Sequence, residues 1–119
     1  MSNGKAHTMI RYASGAAIVD CLDVKLNDEM TIQAWGEELT AAAENCQIAK
    51  LIVNFNAVKF MSSSALRVLI TLNTKARAQK ITLYLCGINA NIMDVFKITK
   101  LDSLFNIRQT EQEAIKSMK

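Results

Sequence analysis

The chain has 119 residues, of which 50% are hydrophobic and 21% are charged, and its formal net charge at pH 7 is +3. This composition is typical of one globular domain that is large enough to bury a hydrophobic core. The lysines and arginines are scattered singly and no apolar run is long enough to span a bilayer, which argues against nucleic-acid-binding and membrane proteins.

Cysteine usage indicates a reducing compartment. Cys21, Cys46 and Cys86 are an odd number and each lies in an apolar segment, so we expect buried free thiols in a cytoplasmic protein. The residues after Met1 are polar, and we therefore expect no signal peptide. His7 is the only histidine and no paired-cysteine motif is present, so we predict neither a metal site nor a cofactor.

The first half of the chain is predicted to form a tail, a hairpin and a helix. Residues 1–7 are expected to be disordered, and strands at 8–13 and 16–22 flank the turn signal Ser14-Gly15. A helix begins at Asp28, because apolar residues then recur at three- and four-residue intervals. Its predicted buried stripe is Ile32, Trp35, Leu39, Ala42, Ala43 and Cys46.

The second half alternates strands with helices. The continuous apolar run at 51–53 indicates an internal strand covered by helices. A helix follows at about 64–79, with an inward stripe of Ala65, Leu69, Leu72 and Ala76. The remaining predicted elements are a strand at 81–86, a helix capped by Asn89 or Asn91, a strand at 104–107, and a last helix from Thr110 to Met118. This alternation predicts a largely parallel sheet whose functional loops follow the carboxyl ends of the strands.

Three consecutive serines, Ser62, Ser63 and Ser64, lie where such a loop meets the second long helix. One serine hydroxyl is enough to cap a helix, so at least one other hydroxyl remains at the positive end of the helix dipole. That end favours a phosphate group. Two interpretations remain at this point: a well-capped helix alone, or a helix start that accommodates phosphate.

Catalysis is not expected. A serine nucleophile needs a base, but the sole histidine, His7, lies in the predicted tail. The sequence also lacks the Gly-x-Ser-x-Gly elbow, the phosphate-binding loop and the dinucleotide-binding glycine motif. Asp20, Asp23 and Asp28 are interpreted as turn and cap residues, since no partner group accompanies them. We therefore predict that the chain is not an enzyme.

The segment Leu51-Ile52-Val53-Asn54-Phe55 to Phe60-Met61-Ser62-Ser63-Ser64-Ala65-Leu66 resembles the switch region of the STAS-domain anti-sigma-factor antagonists. Leu26-Asn27-Asp28, Leu85-Cys86-Gly87-Ile88 and Thr110-Glu111-Gln112-Glu113-Ala114 are similar to further segments of that family, and the likeness extends from about Ala16 onward. The resemblance implies an α/β STAS fold in a single domain, residues 1–119: a mixed, largely parallel sheet of four to five strands with about four helices packed against it.

The resemblance also implies a function in transcription regulation by partner switching. The unphosphorylated form of such a protein binds an anti-sigma factor that is also a serine kinase, and so releases a sigma factor. Phosphorylation blocks this binding, and a PP2C-type phosphatase reverses it. By position the acceptor is Ser63, with Ser62 and Ser64 as alternates. Neither a nucleic acid nor a membrane is expected as a partner.

The predicted partner surface combines the serines with nearby polar residues. Its members are Asp28, Asn56, Ser62, Ser63, Ser64, Arg67 and Thr71, whereas Ile70 is expected in the core. The alternative function is a non-phosphorylated STAS adaptor subunit of a transporter ATPase or a signalling scaffold. The serine triplet favours the switch, while Asn54 and Ser62, where the family often has aspartate, leave room for the adaptor.

Overall fold

A five-stranded sheet lies between two layers of helices in the computed structural model, which describes residues 6–45 and 49–118. The strands are β1 (Thr8–Ala13), β2 (Ala16–Cys21), β3 (Lys25–Leu26), β4 (Lys50–Asn54), β5 (Phe60–Met61), β6 (Thr82–Cys86) and β7 (Asn106–Arg108). The helices are α1 (Glu29–Glu44), α2 (Ser63–Ala78), α3 (Ala90–Ile98) and α4 (Glu111–Ser117), with a 3-10 turn at Leu101–Ser103.

The main sheet has the strand order β1-β2-β4-β6-β7. β1 and β2 are antiparallel, and every other neighbouring pair is parallel, with Val53 of β4 aligned with Val19 of β2 and Leu85 of β6. The hairpin turn uses Ser14 and Gly15 at φ 53° and 81°, the positive values that a two-residue turn between twisted strands requires. The predicted α/β class, the mixed and largely parallel sheet and the four helices are confirmed.

The larger hydrophobic core lies between the sheet and helices α1, α2 and α3. Its fully buried side chains include Trp35 of α1, Leu69 of α2 and Phe96 of α3. Burying a side chain of this size stabilises the fold by about 1.5–3 kcal/mol. A smaller cluster on the opposite face packs Ile18, Ile52 and neighbouring strand residues against Ala114 of α4. Both faces of the central strands are therefore covered, as their continuous apolar runs require.

The apolar stripes predicted for the two long helices face this core. In α1 the residues Ile32, Trp35, Leu39, Ala42 and Ala43 are buried, and in α2 so are Ala65, Leu69, Leu72 and Ala76. Cys46 lies outside the described residues. Cys21 and Cys86 are buried free thiols, and burial raises the pKa of each to about 12. Neither thiol is ionised at neutral pH, so both behave as core residues.

The structure differs from the sequence predictions at three places. His7, placed in the tail, donates its backbone N–H to the Glu38 carboxylate at 3.0 Å and places its ring Nδ1 2.6 Å from Asp23. Ile70, expected in the core, is 37% exposed, because α2 turns this position away from the sheet. The strand expected at 104–107 is β7, which is shorter and begins two residues later, after the 3-10 turn.

The structure also decides between the two residues predicted as possible caps of α3. Asn89 is the cap, because its side chain accepts a hydrogen bond from Ile92 N–H.

Within the part of the chain that the structure describes, no helix has both the length and the apolar character needed to cross a membrane. The same residues contain no group of three or more His, Cys, Asp or Glu side chains positioned to hold a metal ion.

Candidate functional site

The start of α2 is held in place by a second, two-stranded sheet. β3 and β5 pair in parallel, with Leu26 opposite Met61 and both side chains buried. Ser62 N–H then donates to the Leu26 carbonyl at 2.9 Å. The segment before α2 is thereby anchored to the segment before α1, so both helices begin close together. The sequence did not predict these strands, because two residues are too few to show an alternating pattern.

The three serines have different surroundings. Ser62 is the N-cap residue, with extended backbone angles, and its Oγ accepts a hydrogen bond from Ala65 N–H at 3.4 Å. Ser63 is the first helical residue and is exposed, and among the described residues its hydroxyl has no hydrogen-bond partner. Ser64 is half-buried. The capping role therefore belongs to Ser62, and the hydroxyl of Ser63 remains accessible.

The charges along α2 leave its N-terminus electropositive. The first turn contains no acidic residue, whereas the last turn contains Lys75 and Arg77. Cations at the C-terminus complement the helix dipole there, but the positive N-terminal end has no matching carboxylate in its own helix. Arg67 is exposed and lies four residues after Ser63, so the two side chains share one face of the helix. The start of α2 is thus suited to an added anion.

A shallow depression beside the serines brings several of the predicted partner residues together. It has a volume of about 370 Å³ and lies between the N-terminal parts of α1 and α2. Its walls include Ser64, Arg67 and Thr71 from α2 together with Glu29 and Gln33 from α1. Three of the seven residues predicted for the partner surface therefore line one feature, next to the exposed Ser63.

Asp28 and Asn56, also predicted for the partner surface, are exposed but have local structural roles. Asp28 caps α1, its carboxylate accepting Thr31 N–H at 3.0 Å. Asn56 lies in the loop after β4, and its backbone N–H donates to Asn54 Oδ1 at 3.0 Å. Neither residue lines the depression beside Ser64.

The loop that leads to α2 is fixed by a polar network at the carboxyl ends of β2 and β4. The Asn54 amide donates to Asp20 Oδ1 at 2.9 Å, and Asp20 also pairs with Arg11 at 2.6 Å. The bond from the Arg11 guanidinium, assisted by Asn54, lowers the pKa of Asp20 below its ordinary value. A carboxylate at position 54 would face Asp20 at this distance, would repel it, and would not donate the bond that the Asn54 amide provides.

Two exposed apolar side chains near the starts of α1 and α2 were missed by sequence reasoning. Phe60 is 49% exposed in β5, and Met30 is 81% exposed in the first turn of α1. Each side chain lies in an ordinary strand or helix, so its exposure depends on which neighbouring elements pack against it. Large exposed apolar side chains beside polar ones are typical of protein-binding surfaces. We call Met30, Phe60, Ser63, Ser64 and Arg67 the serine surface.

The architecture is shared with solved structures of anti-sigma-factor antagonists. A STAS domain protein of this kind from Planctomyces limnophilus has a TM-score of 0.83 at 19% identity, covering 98% of this chain and 100% of that one. An antagonist from Mycobacterium paratuberculosis has a TM-score of 0.81 at 19% identity, with 92% and 91% covered. The phosphorylated form of SpoIIAA, a Bacillus cell fate determinant, has a TM-score of 0.67 at 18% identity, with 94% and 99% covered.

At these identities the structural likeness concerns the fold. A comparison with curated protein sequences gave no match. The sequence model of one family, the STAS domain, matches residues 19–114, which include both long helices, the serine triplet and the strands β4, β6 and β7. The chain belongs to the STAS domain family.

Proposed function

We propose that this chain is an anti-sigma-factor antagonist whose binding to its partner is controlled by phosphorylation of Ser63. Family membership and the similarity to structures named as antagonists support this class of function. The observation that carries the proposal is the exposure of Ser63 at the first position of α2, while Ser62 performs the capping. A kinase can reach this hydroxyl without unfolding the helix.

Phosphate at Ser63 is compatible with the intact fold. The modification adds roughly −1.5 to −2 charges at neutral pH and three acceptor oxygens. The electropositive first turn of α2 and the Arg67 side chain, one turn further on, are positioned to stabilise this charge. The domain therefore does not need to rearrange, and the effect is confined to the serine surface.

Phosphorylation of Ser63 is expected to affect the binding of a partner much more than it affects the fold. Phe60 and Met30 supply apolar area that a partner can bury, and Phe60 lies three residues before Ser63 in the chain. A phosphate enclosed in such an interface loses its hydration, and an unpaired buried charge costs several kcal/mol. Since about 1.4 kcal/mol corresponds to a factor of ten in affinity, we expect binding to fall by about 100-fold or more.

The acceptor is identified by mass spectrometry after incubation of the purified chain with ATP and native cell extract. Trypsin cleaves after Lys59 and Arg67, so all three serines fall in the peptide Phe60-Met61-Ser62-Ser63-Ser64-Ala65-Leu66-Arg67. Fragment ions distinguish the three positions. We expect phosphate on Ser63 in the wild-type chain and none in Ser63→Ala. Phosphate on Ser62 or Ser64 alone, or on none of the three, would contradict the proposal.

Partner binding is tested with immobilised Ser63→Ala and Ser63→Glu chains in the same extract. We expect Ser63→Ala to capture a serine kinase that also binds a sigma factor, and Ser63→Glu to capture about 100-fold less. The captured kinase is then produced recombinantly and titrated against the wild-type chain before and after phosphorylation, and after treatment with a PP2C-type phosphatase. Equal affinity of all forms would exclude the switch and favour a constitutive adaptor.

A further inference from the structure

The outer edge of β1 is open and apolar. β1 is an edge strand of the main sheet. Three of its six residues have large apolar side chains that are exposed, with exposed fractions of 56% for Met9, 44% for Ile10 and 67% for Tyr12. Proteins protect such edges with proline, charged side chains or bulges. This strand contains no proline, its one charged side chain, Arg11, is paired with Asp20 and Glu111 of the same chain, and its pairing with β2 is continuous over all six residues. The opposite edge, β7, has only three residues.

The hairpin register determines which backbone groups of β1 point outward. Ala13 and Ala16 flank the two-residue turn and form a hydrogen-bonded pair, so Arg11 and Met9 also bond to β2. The bond from Leu22 N–H to the His7 carbonyl, at 3.0 Å, continues the same alternation at the far end. Ile10 and Tyr12 therefore direct their N–H and C=O groups away from the sheet.

The open part of this edge is short and has defined ends. The Thr8 N–H, which also points outward, is taken by Glu38 Oε1 at 2.8 Å. At the other end Ser14 has a left-handed φ of 53° and leaves the strand. The backbone groups of Ile10 and Tyr12 thus remain for an added strand between these two limits, with no bonding partner among the described residues.

We propose that a second copy of this chain binds here, with the two β1 strands antiparallel about a two-fold axis at Arg11. In this register Ile10 of each copy faces Tyr12 of the other, and each facing pair exchanges two backbone hydrogen bonds. A register shifted by two residues places Tyr12 opposite Thr8, whose N–H is already bonded to Glu38, or places Ile10 opposite the turn residue Ser14. The register centred on Arg11 is the one in which the open groups of Ile10 and Tyr12 pair only with each other, and such self-complementarity is the requirement for a two-fold interface.

The side chains fit the same arrangement on both faces. On the face of α1, each Ile10 contacts the Tyr12 of the other copy, a favourable cross-strand pair, beside a groove of about 290 Å³ between β1 and α1. On the other face the two Arg11 side chains meet at the axis. Each guanidinium is already paired with Asp20 at 2.6 Å and Glu111 at 2.7 Å, so their charges are compensated within each copy. The two sheets become one continuous sheet.

The association is measured by sedimentation equilibrium of the full chain from about 1 μM to about 1 mM, the range in which weak dimers form. We expect a species of twice the 13.2 kDa chain mass, with a dissociation constant that is raised at least tenfold more by Ile10→Pro than by Ile10→Ala. Proline at this position removes only the outward N–H, which edge strands tolerate, and circular dichroism melting verifies folding. Ile10→Ala is the matched control because it keeps the N–H. A wild-type chain that remains monomeric throughout would overturn the proposal.

The register is tested separately with engineered cysteines in a Cys46→Ser background. In the proposed pairing the two residues 11 are directly opposite as a non-hydrogen-bonded pair, with Cα atoms about 4.5 Å apart, within disulfide range. We expect Arg11→Cys to form a covalent dimer on mild oxidation. Met9→Cys should not, because its own equivalent lies about four residues away along the strands. Cross-linking of Met9→Cys as readily as Arg11→Cys would overturn the register. This test does not depend on whether Ile10→Pro folds.

Dimer formation is also independent of the proposed phosphorylation switch. We expect Ser63→Glu to dimerise like the wild-type chain, so a failure of one proposal can be told apart from a failure of the other.

Discussion

Ser62 and Ser63 carry the same hydroxyl, yet the backbone gives them different surroundings. Ser62 is extended, and its Oγ accepts Ala65 N–H, so it stabilises the start of α2. Ser63 is one residue further on, inside the helix, and its hydroxyl is exposed. Because the cap is already occupied, chemistry at Ser63 has little effect on the stability of the helix. The capping function and the proposed regulatory function are thus separated onto adjacent residues.

This separation predicts different stabilities for two alanine variants. We expect Ser62→Ala to lower the free energy of unfolding by about 1 kcal/mol, because an N-cap bond is lost. We expect Ser63→Ala to change it by less than about 0.5 kcal/mol, as is usual for exposed positions. Urea denaturation followed by circular dichroism measures both. Equal losses in the two variants would show that the hydroxyls share the capping role.

At the scale of elements, the turn after β6 shapes the loop that leads to α2. Gly87 has a φ of 73°, and a Cβ built on it would lie 2.6 Å from Asn56 Oδ1 and 2.8 Å from Asn54 Oδ1. The two asparagines belong to the loop that follows β4, and Asn54 is itself bonded to Asp20 of β2. The close approach of β6 to this loop therefore requires a residue without a side chain. The strands β2, β4 and β6 are in this way connected to the loop that leads to α2.

Two glycine substitutions separate the steric effect from the conformational one. Gly15 also has a positive φ of 81°, but a Cβ built on it would meet no other atom within 4 Å. We therefore expect Gly15→Ala to lower the free energy of unfolding by about 1 kcal/mol, from backbone strain alone. Gly87→Ala carries the same strain and an added clash, for which we expect a total loss of about 2–4 kcal/mol. Thermal and urea unfolding of both variants measure the difference. Equal destabilisation would show that the asparagines move aside freely.

At the scale of the whole molecule, one ion-pair network ties the two ends of the described chain to the sheet. Arg11 of β1 pairs with Asp20 of β2 at 2.6 Å and with Glu111 at the start of α4 at 2.7 Å. Asp20 in turn accepts a bond from Asn54 of β4. Because its members are half-buried, this network is screened less by solvent than a fully exposed pair. It fixes α4 over the smaller core.

The network gives the protein a specific acid sensitivity. The pKa of Asp20 is lowered in the folded state, chiefly by the Arg11 guanidinium. The unfolded chain therefore binds more protons in acid, so this stabilisation is complete above the unfolded pKa, about 3.9, and is lost as the pH falls through the lower folded value. Asp20→Asn should be less stable than the wild type at pH 7, and the difference should narrow below about pH 4. Urea unfolding across this pH range measures it, and a difference independent of pH would contradict the assignment.

Features of this protein that arise from local patterns could be predicted from its amino-acid sequence. The periodic apolar residues of α1 and α2, such as Trp35 and Leu69, identified the faces that are buried, because a helix places every third or fourth residue on one side. The serine triplet located the start of α2, since capping depends on residues three positions apart. The alternation of strands and helices implied the parallel sheet, because parallel neighbours need long crossovers.

Features that depend on contacts between residues distant in sequence became visible only in the folded chain. The pairing of β3 with β5 joins segments more than 30 residues apart, and the bond between Arg11 and Glu111 spans 100 residues. The exposure of Phe60, Met30 and Ile70 likewise follows from which neighbouring elements fail to cover them. Local patterns report which side of an element is apolar, but they do not report what packs against it. The helix α2 and its serines could therefore be predicted from the sequence. The residues that surround them on the surface and the open edge of β1 could not.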